Sequence, residues 1–352
     1  MIIMSDLFKD VLKDSESLFK NEVALDPEFT PKQIPFRESE NQYIATCIKP
    51  LFQKRSGKNL IIKGSPGIGK TLACKNVLRE LEETTDDIIP IYINCWKKNS
   101  TYQITLEICK ALDYKFVHNK RTDELISIIT EKLNRKSSVL IFDEIDKIQE
   151  LDILYSLVEN LFRKTIILIT NEETWLYRLD NRLKSRLIPD QLDFRPYTLE
   201  ETKEILKQRI GYAFPSNIIS LDEVNKIAQK THELKDLRTG LFLLKESAEI
   251  AESTSSKKIE NSHVETAISK IKDFKKPVEL DEDEQQILSI IKSNSDKTTS
   301  EIYSIYKEAN GLKSERTFQR KIKNLEKLNL VKVDEITNIQ GRSFKIKPLI
   351  EF

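Results

Sequence analysis

Four cysteines and three histidines in 352 residues leave little material for a metal centre, and their spacing removes most of that. Cys47, Cys74, Cys95 and Cys109 form no C-x-x-C pair, and His118, His232 and His263 lie far from one another in sequence. Isolated cysteines of this kind behave as small buried hydrophobes, and reduced thiols suit an intracellular compartment. No apolar run approaches the roughly 20 residues needed to span a bilayer, and the N-terminus lacks a basic stretch followed by an apolar one. A cytoplasmic protein with no membrane partner is expected. An excess of either charge is missing too. With 57 basic and 56 acidic residues the formal net charge is +1, so the whole molecule does not advertise nucleic-acid binding and charge must be sought locally.

What is present describes a folded, helix-rich chain. Hydrophobic residues make up 39% and charged residues 32%, a profile that is neither disordered nor membrane-like. The length suggests two or three domains of roughly 100–200 residues each. Residues 1–36 hold Met1 and Met4 and then Pro27, Pro31 and Pro35, so an extended lead-in is expected there. Helical spacing runs from Glu38 to Phe52. Short apolar runs at Asn59–Lys63, Ile88–Ile93, Val139–Phe142 and Thr165–Ile169 alternate with helical stretches, the order of a parallel sheet with crossovers. Beyond about Pro196 strand-like runs stop. Thr198…Glu201, Ser220…Glu223 and Ser262…Glu265 each read as a capping box opening a helix. Lys275-Lys276-Pro277 breaks the last of these, and the acidic run Asp281–Glu284 opens a further module of three helices and two strands. The boundaries are therefore set at 1–196, 197–276 and 277–352.

The segment Gly64-Ser65-Pro66-Gly67-Ile68-Gly69-Lys70-Thr71 matches G-x-x-x-x-G-K-[ST], after a strand and before a helix. Main-chain amides in such a loop turn inward onto phosphate oxygens, and the following helix adds the partial positive charge of its N-terminus. Lys70 is expected to reach the β- and γ-phosphates of ATP or ADP, and the Thr71 hydroxyl to ligate Mg²⁺. The run Val139–Phe142 delivers Asp143 and Glu144 to a strand end: Asp143 for the Mg²⁺ shell, Glu144 as general base for the attacking water. A further strand ends at Asn171, whose amide is placed to orient that water. Arg182 and Arg186 are i,i+4 neighbours, and Arg238 follows Asp236-Leu237; each is a candidate cation for charge developing on the transferred phosphoryl.

In Ser314–Asn329, Phe318, Ile322, Leu325 and Leu328 fall on one helical stripe at about 100° per residue. The opposite face carries Arg316, Gln319, Arg320, Lys323 and Lys327, side chains suited to a DNA major groove. Between Leu312 and Lys332 there are seven basic residues against Glu315 and Glu326, a local charge of +5. The final strands read as a hairpin that would carry Arg342 along a minor groove.

In order, these motifs resemble the archaeal initiators of the origin-recognition and cell-division-control type, within the AAA+ ATPases. The resemblance spans essentially the whole chain. It is carried by Leu25-Asp26-Pro27 through Glu38, the phosphate loop, Phe142–Asp146, Ile169-Thr170-Asn171, Arg182–Phe194, Asp236-Leu237-Arg238 and the terminal module. It implies an α/β AAA+ domain with a parallel sheet, a helical lid and a C-terminal winged helix. Asn171 would be the sensor-1 residue, Arg186 the arginine finger with Arg182 a weaker alternative, and Arg238 sensor 2. It also implies slow, switch-like ATP hydrolysis, a nucleoid-associated location, origin duplex DNA as partner, and replicative helicase and other initiator subunits as further partners. Lys235 stands where that family often has glycine, and Lys97, Lys98 and Tyr102 occupy the region of an extra DNA-contacting helix. A signalling ATPase or a helicase loader, with the winged helix on protein, is the competing expectation.

Overall fold

A computed structural model gives the fold; it describes residues 17–31, 34–172, 174–274, 280–294, 297–309, 311–327, 330–338 and 341–348, with only the backbone at 272–274, 327, 334–338 and 341–343. The packing divides the chain into two units, Met1–Ile268 and Ser269–Phe352, and each is described by itself.

In the first unit the order is α1 (Glu38–Ile48), β1 (Leu60–Lys63), α2 (Lys70–Thr84), β2 (Ile88–Asn94), α3 (Thr101–Ala111), α4 (Thr122–Arg135) and β3 (Ser137–Asp143). Then come α5 (Asp152–Asn160), β4 (Lys164–Thr170), α6 (Trp175–Arg178), α7 (Asn181–Leu187) and β5 (Asp190–Asp193). The strands form one parallel sheet in the order β2-β3-β4-β1-β5. Both faces are covered, which explains the near-continuous apolar runs of β3 and β4. Leu140, Phe142, Ile166 and Leu168 point to the side packed by α3, α4 and α5, while Val139, Ile141, Ile167 and Ile169 point to the side packed by α1 and α2. All four cysteines are free and buried among these side chains.

β5 is a strand that the apolar pattern did not announce. Asp-Gln-Leu-Asp lies at the sheet edge and pairs with β1 alone, so the sheet asks little hydrophobicity of it. The lead-in differs from expectation as well: Glu22–Leu25 winds into a short 3-10 turn. It lies on the lid, where Arg209 donates to the carbonyls of Ala24 and Phe29, both at 3.1 Å.

The lid comprises α8 (Leu199–Ala213), α9 (Leu221–Leu234), α10 (Leu237–Ser253) and the start of α11 (Asn261–Phe274). Thr198 with Glu201 and Ser220 with Glu223 form the expected capping boxes. The third does not form. α11 begins at Asn261, one residue before Ser262, and His263 takes the reciprocal part, its Nδ1 accepting from the Glu260 amide at 3.1 Å.

The second unit contains α12 (Glu282–Ser293), α13 (Thr299–Glu308), α14 (Glu315–Lys327), β6 (Val331–Asn338) and β7 (Gly341–Pro348). The two strands pair antiparallel, and Thr298 bridges to Lys345 to add the short third edge of a winged helix. Asp281–Glu284 proves to be a capping box, as does Thr298–Glu301. Ile287, Ile291, Ile302, Tyr306, Phe318, Ile322, Leu325 and Ile346 close a small core.

Candidate functional site

The phosphate loop joins β1 to α2, and α2 starts at Lys70 with no side chain capping its first amides. Those N–H groups lack intrahelical acceptors and are available to an anion. Gly67 and Gly69 have φ of +73° and +91°, and a Cβ on Gly67 would run into the Asp236 carboxylate, so glycine is required there on two grounds. Lys70 is buried inside the loop. Its ammonium donates to the carbonyls of Gly64 (2.6 Å) and Ser65 (2.7 Å) and to Asn171 Oδ1 (2.8 Å). Burial pushes the lysine down to about 8, against the pull of Asp143 and with a further push from Arg238. The end of β4 is thereby tied to the loop.

Asp143 closes β3 almost fully buried. Its Oδ2 accepts from Thr71 Oγ1 (2.7 Å) and from the Tyr92 hydroxyl (2.6 Å), and its Oδ1 from the Glu144 amide (2.9 Å). Glu144 sits in the left-handed region, φ 53° and ψ 46°, where residues other than glycine are uncommon and concentrate at functional sites. Burial raises its pKa, and the charges of Asp143 and Asp146 raise it further. Asp146 accepts from Thr170 Oγ1 at 2.9 Å and pairs with Lys147 at 2.7 Å; burial would raise its pKa, but those bonds carry it below the usual value. Thr71 and Asp143 supply adjacent oxygen ligands of the kind a hard cation takes, and Mg²⁺ in nucleotide sites needs only one or two protein ligands beside the phosphates.

Of the three arginines, Arg238 is the one whose charge acts on Lys70 and Glu144. It lies in the first turn of α10, its amide capped by Asp236 Oδ1 at 2.9 Å, and the neighbouring Leu237 amide donates to the Gly67 carbonyl at 3.2 Å. Arg182 and Arg186 instead share Glu159 Oε1 on α5, at 2.8 and 2.9 Å.

In the second unit, α14 buries Phe318, Ile322 and Leu325 and exposes Arg316, Gln319, Arg320 and Lys323, as its periodicity implies. The Lys327 and Arg342 side chains, and Leu328, lie outside the described residues. The local charge of +5 is reduced within the unit: Lys321 pairs with Asp281 and Glu284, and Lys313 with Asp283 at 3.2 Å. The cationic face is therefore narrower than the count of lysines implied. In the first unit Lys97, Lys98 and Tyr102 are exposed, and Lys97 lies 3.5 Å from Glu28.

Comparison with known proteins bears on the family and the fold. A family model described as an AAA domain matches residues 53–176, and one described as a Cdc6 AAA+ ATPase-type lid domain matches 203–269. An ORC1-type DNA replication protein 1 of Archaeoglobus fulgidus is 30% identical over 87% of this chain and 80% of its own. The chain belongs to the ORC1-type DNA replication proteins. An ORC1-type DNA replication protein 2 of Methanothermobacter thermautotrophicus is 28% identical over 92% of the chain and 89% of its own. The structure of an Aeropyrum pernix ORC1 protein in complex with DNA matches with 25% identity and a TM-score of 0.68, covering 96% of this chain and 95% of that one. An ADP form of an Aeropyrum pernix ORC2 protein reaches a TM-score of 0.71 at 18% identity, over 95% of each chain, and speaks for the fold. As an ORC1-type AAA+ protein the chain is a nucleotide-binding ATPase.

Two side chains at this ORC1-type site were given no role in the sequence reading. Arg37 is fully buried and donates to the carbonyls of Ile68 (3.0 Å) and Arg195 (2.6 Å) and to Glu40 (2.6 Å). Its guanidinium lies 5.0 Å from the Phe194 ring centroid and 4.1 Å from that of Tyr197, tying the lead-in to the loop and to the start of the lid. Tyr92 was read only as part of an apolar strand. Period-two alternation was the available signal, since it places Tyr92 and Asn94 on one face of β2. The departure at Lys235 is accommodated in the left-handed region, φ 52° and ψ 26°, which is why glycine suits that position.

Proposed function

We propose that this ORC1-type protein is a replication initiator that binds duplex origin DNA, with ATP binding and slow hydrolysis setting its state. One observation carries the reading: a cationic face on α14 of a winged helix, in the same chain as a complete nucleotide site. Arg316, Arg320 and Lys323 would contact phosphates and base edges, with Gln319 able to pair with adenine, and Lys327 and Arg342 extending the contact. In the ATPase unit the amides of residues 64–71 would cradle the phosphates, with Lys70 leaving its three oxygen acceptors for them. Thr71 and Asp143 would hold Mg²⁺. That ion, when bound, offsets the charge of the β- and γ-phosphates. Asn171 would orient the attacking water and Glu144 take its proton, its raised pKa suiting a proton acceptor. Arg238 would meet the γ-phosphate from the lid. Arg186, held on Glu159 within its own chain, would act on a neighbouring subunit's nucleotide, and the replicative helicase is the further partner.

The test is a salt series of duplex binding for wild type and an Arg320→Ala/Lys323→Ala double variant. Losing two phosphate contacts should weaken binding and flatten the slope of log K against log salt by about 1.8. Unchanged affinity and slope would remove α14 from the interface.

A further inference from the structure

Asp143 is held on three sides, by Thr71, by the Glu144 amide and by Tyr92, and the proposed ATPase roles give no part to Tyr92. The place of Tyr92 follows from the sheet: β2 runs parallel to β3 with Tyr92 beside Ile141, and its ring lies against α2, with Lys75 Nζ 5.0 Å from the centroid. The hydroxyl is thus fixed by a strand and a helix before it meets the carboxylate. Asn94, on the same face, accepts from the amides of Trp96 (3.0 Å) and Lys97 (3.1 Å), anchoring the turn that follows to the strand that carries Tyr92.

We propose that Tyr92 is a positioning residue for Asp143, setting the carboxylate orientation that a Mg²⁺–nucleotide complex requires. The inference rests on the nucleotide reading of this site. The terminal torsion of an aspartate is broad, so its oxygens are placed by whatever donates to them. Mg²⁺ demands near-ideal octahedral geometry, and groups that orient its ligands typically affect metal affinity 10–100-fold. Thr71 cannot serve alone, because its hydroxyl is itself a proposed ligand and must turn toward the ion. Tyr92 keeps its bond to Oδ2 throughout.

Tyr92→Phe in the full chain isolates the hydroxyl while keeping the ring. Binding of a fluorescent ATP analogue is measured in EDTA and then across a Mg²⁺ titration. Affinity in EDTA should stay within about twofold of wild type, while the Mg²⁺ midpoint rises about tenfold and turnover lost at low Mg²⁺ returns at high Mg²⁺. An unshifted midpoint overturns the proposal, and so does an equal loss of affinity in EDTA, which marks a purely structural role. Lys70→Ala runs alongside: retained nucleotide binding there would sink the nucleotide site itself, whereas an unshifted midpoint in Tyr92→Phe removes Tyr92 alone.

Discussion

Nucleotide affinity should fall as pH rises from 7.5 to 9.5, and Lys70 sets the slope. In the nucleotide-free chain its pKa is pushed down to about 8 by burial. A bound triphosphate brings negative charge to the ammonium and raises that pKa, so binding takes up a proton wherever the free lysine has lost one. The sign is therefore fixed: affinity is full well below pH 8, is halved at pH 8, and approaches a tenfold fall per unit well above it. With a free pKa of about 8, the protonated fraction drops from about 0.76 at pH 7.5 to about 0.03 at pH 9.5, which predicts about a 25-fold loss. The terminal phosphate stays ionised across this window. Tyr92 stays protonated, since burial and the neighbouring Asp143 charge hold its phenol well above its usual range. Titrating ADP or ATP in EDTA by calorimetry at five pH values reads the slope without metal chemistry. Lys70→Arg is the control, because a guanidinium stays charged across the range and its profile should be flat whatever its absolute affinity. A flat wild-type profile, or the same slope in the arginine variant, refutes the reasoning.

Two further outcomes follow from the same geometry. Glu144→Gln should bind nucleotide within about twofold of wild type and lose turnover by a factor on the order of 100 or more; normal turnover would remove Glu144 as base. Lys235→Gly relieves a left-handed residue at the end of α9 and should stabilise the chain by about 0.5–1 kcal/mol, once the extra freedom of glycine in the unfolded chain is counted. Scanning calorimetry should show a rise of about 2 °C, and a fall would mean that the Lys235 side chain contributes more than its backbone costs.

The parts of the site that could be read in advance are those whose signal is local. The loop from Gly64 to Thr71, the carboxylates ending β3 and the amide ending β4 each follow from a short run of residues, and the sheet order brings Asn171 to Lys70. Arg37 could not be read so. In sequence it is part of the lead-in that carries the family resemblance and has no role of its own, and only folding surrounds it with two aromatic rings and two carbonyls 31 and 158 residues away. The same holds for Lys313 and Lys321, whose charges meet Asp283, Asp281 and Glu284 only after α12 and α14 pack together. β5 was missed for the opposite reason. Hydrophobic pattern reports burial rather than pairing, and an edge strand pairs with little burial.

A switch needs two states that nucleotide distinguishes, and a ligand shifts their balance only by its difference in affinity for them. Here the lid meets the loop through groups that include the Leu237 amide on Gly67, Asp236 packed beside it, and the Tyr197 ring at Gly69. A main-chain hydrogen bond of this kind is worth about 1 kcal/mol, a contribution that a nucleotide contact can match. In the proposed mechanism ATP and ADP fill the same cradle and differ in the γ-phosphate that Arg238 meets. A charge-assisted bond contributes about 1.5–3 kcal/mol, a shift on the order of 10–100-fold in the lid equilibrium. In that mechanism the lid's share of the discrimination between the two nucleotides would rest on Arg238 at the start of α10, beside the contact that Lys70 of the loop would make with the γ-phosphate.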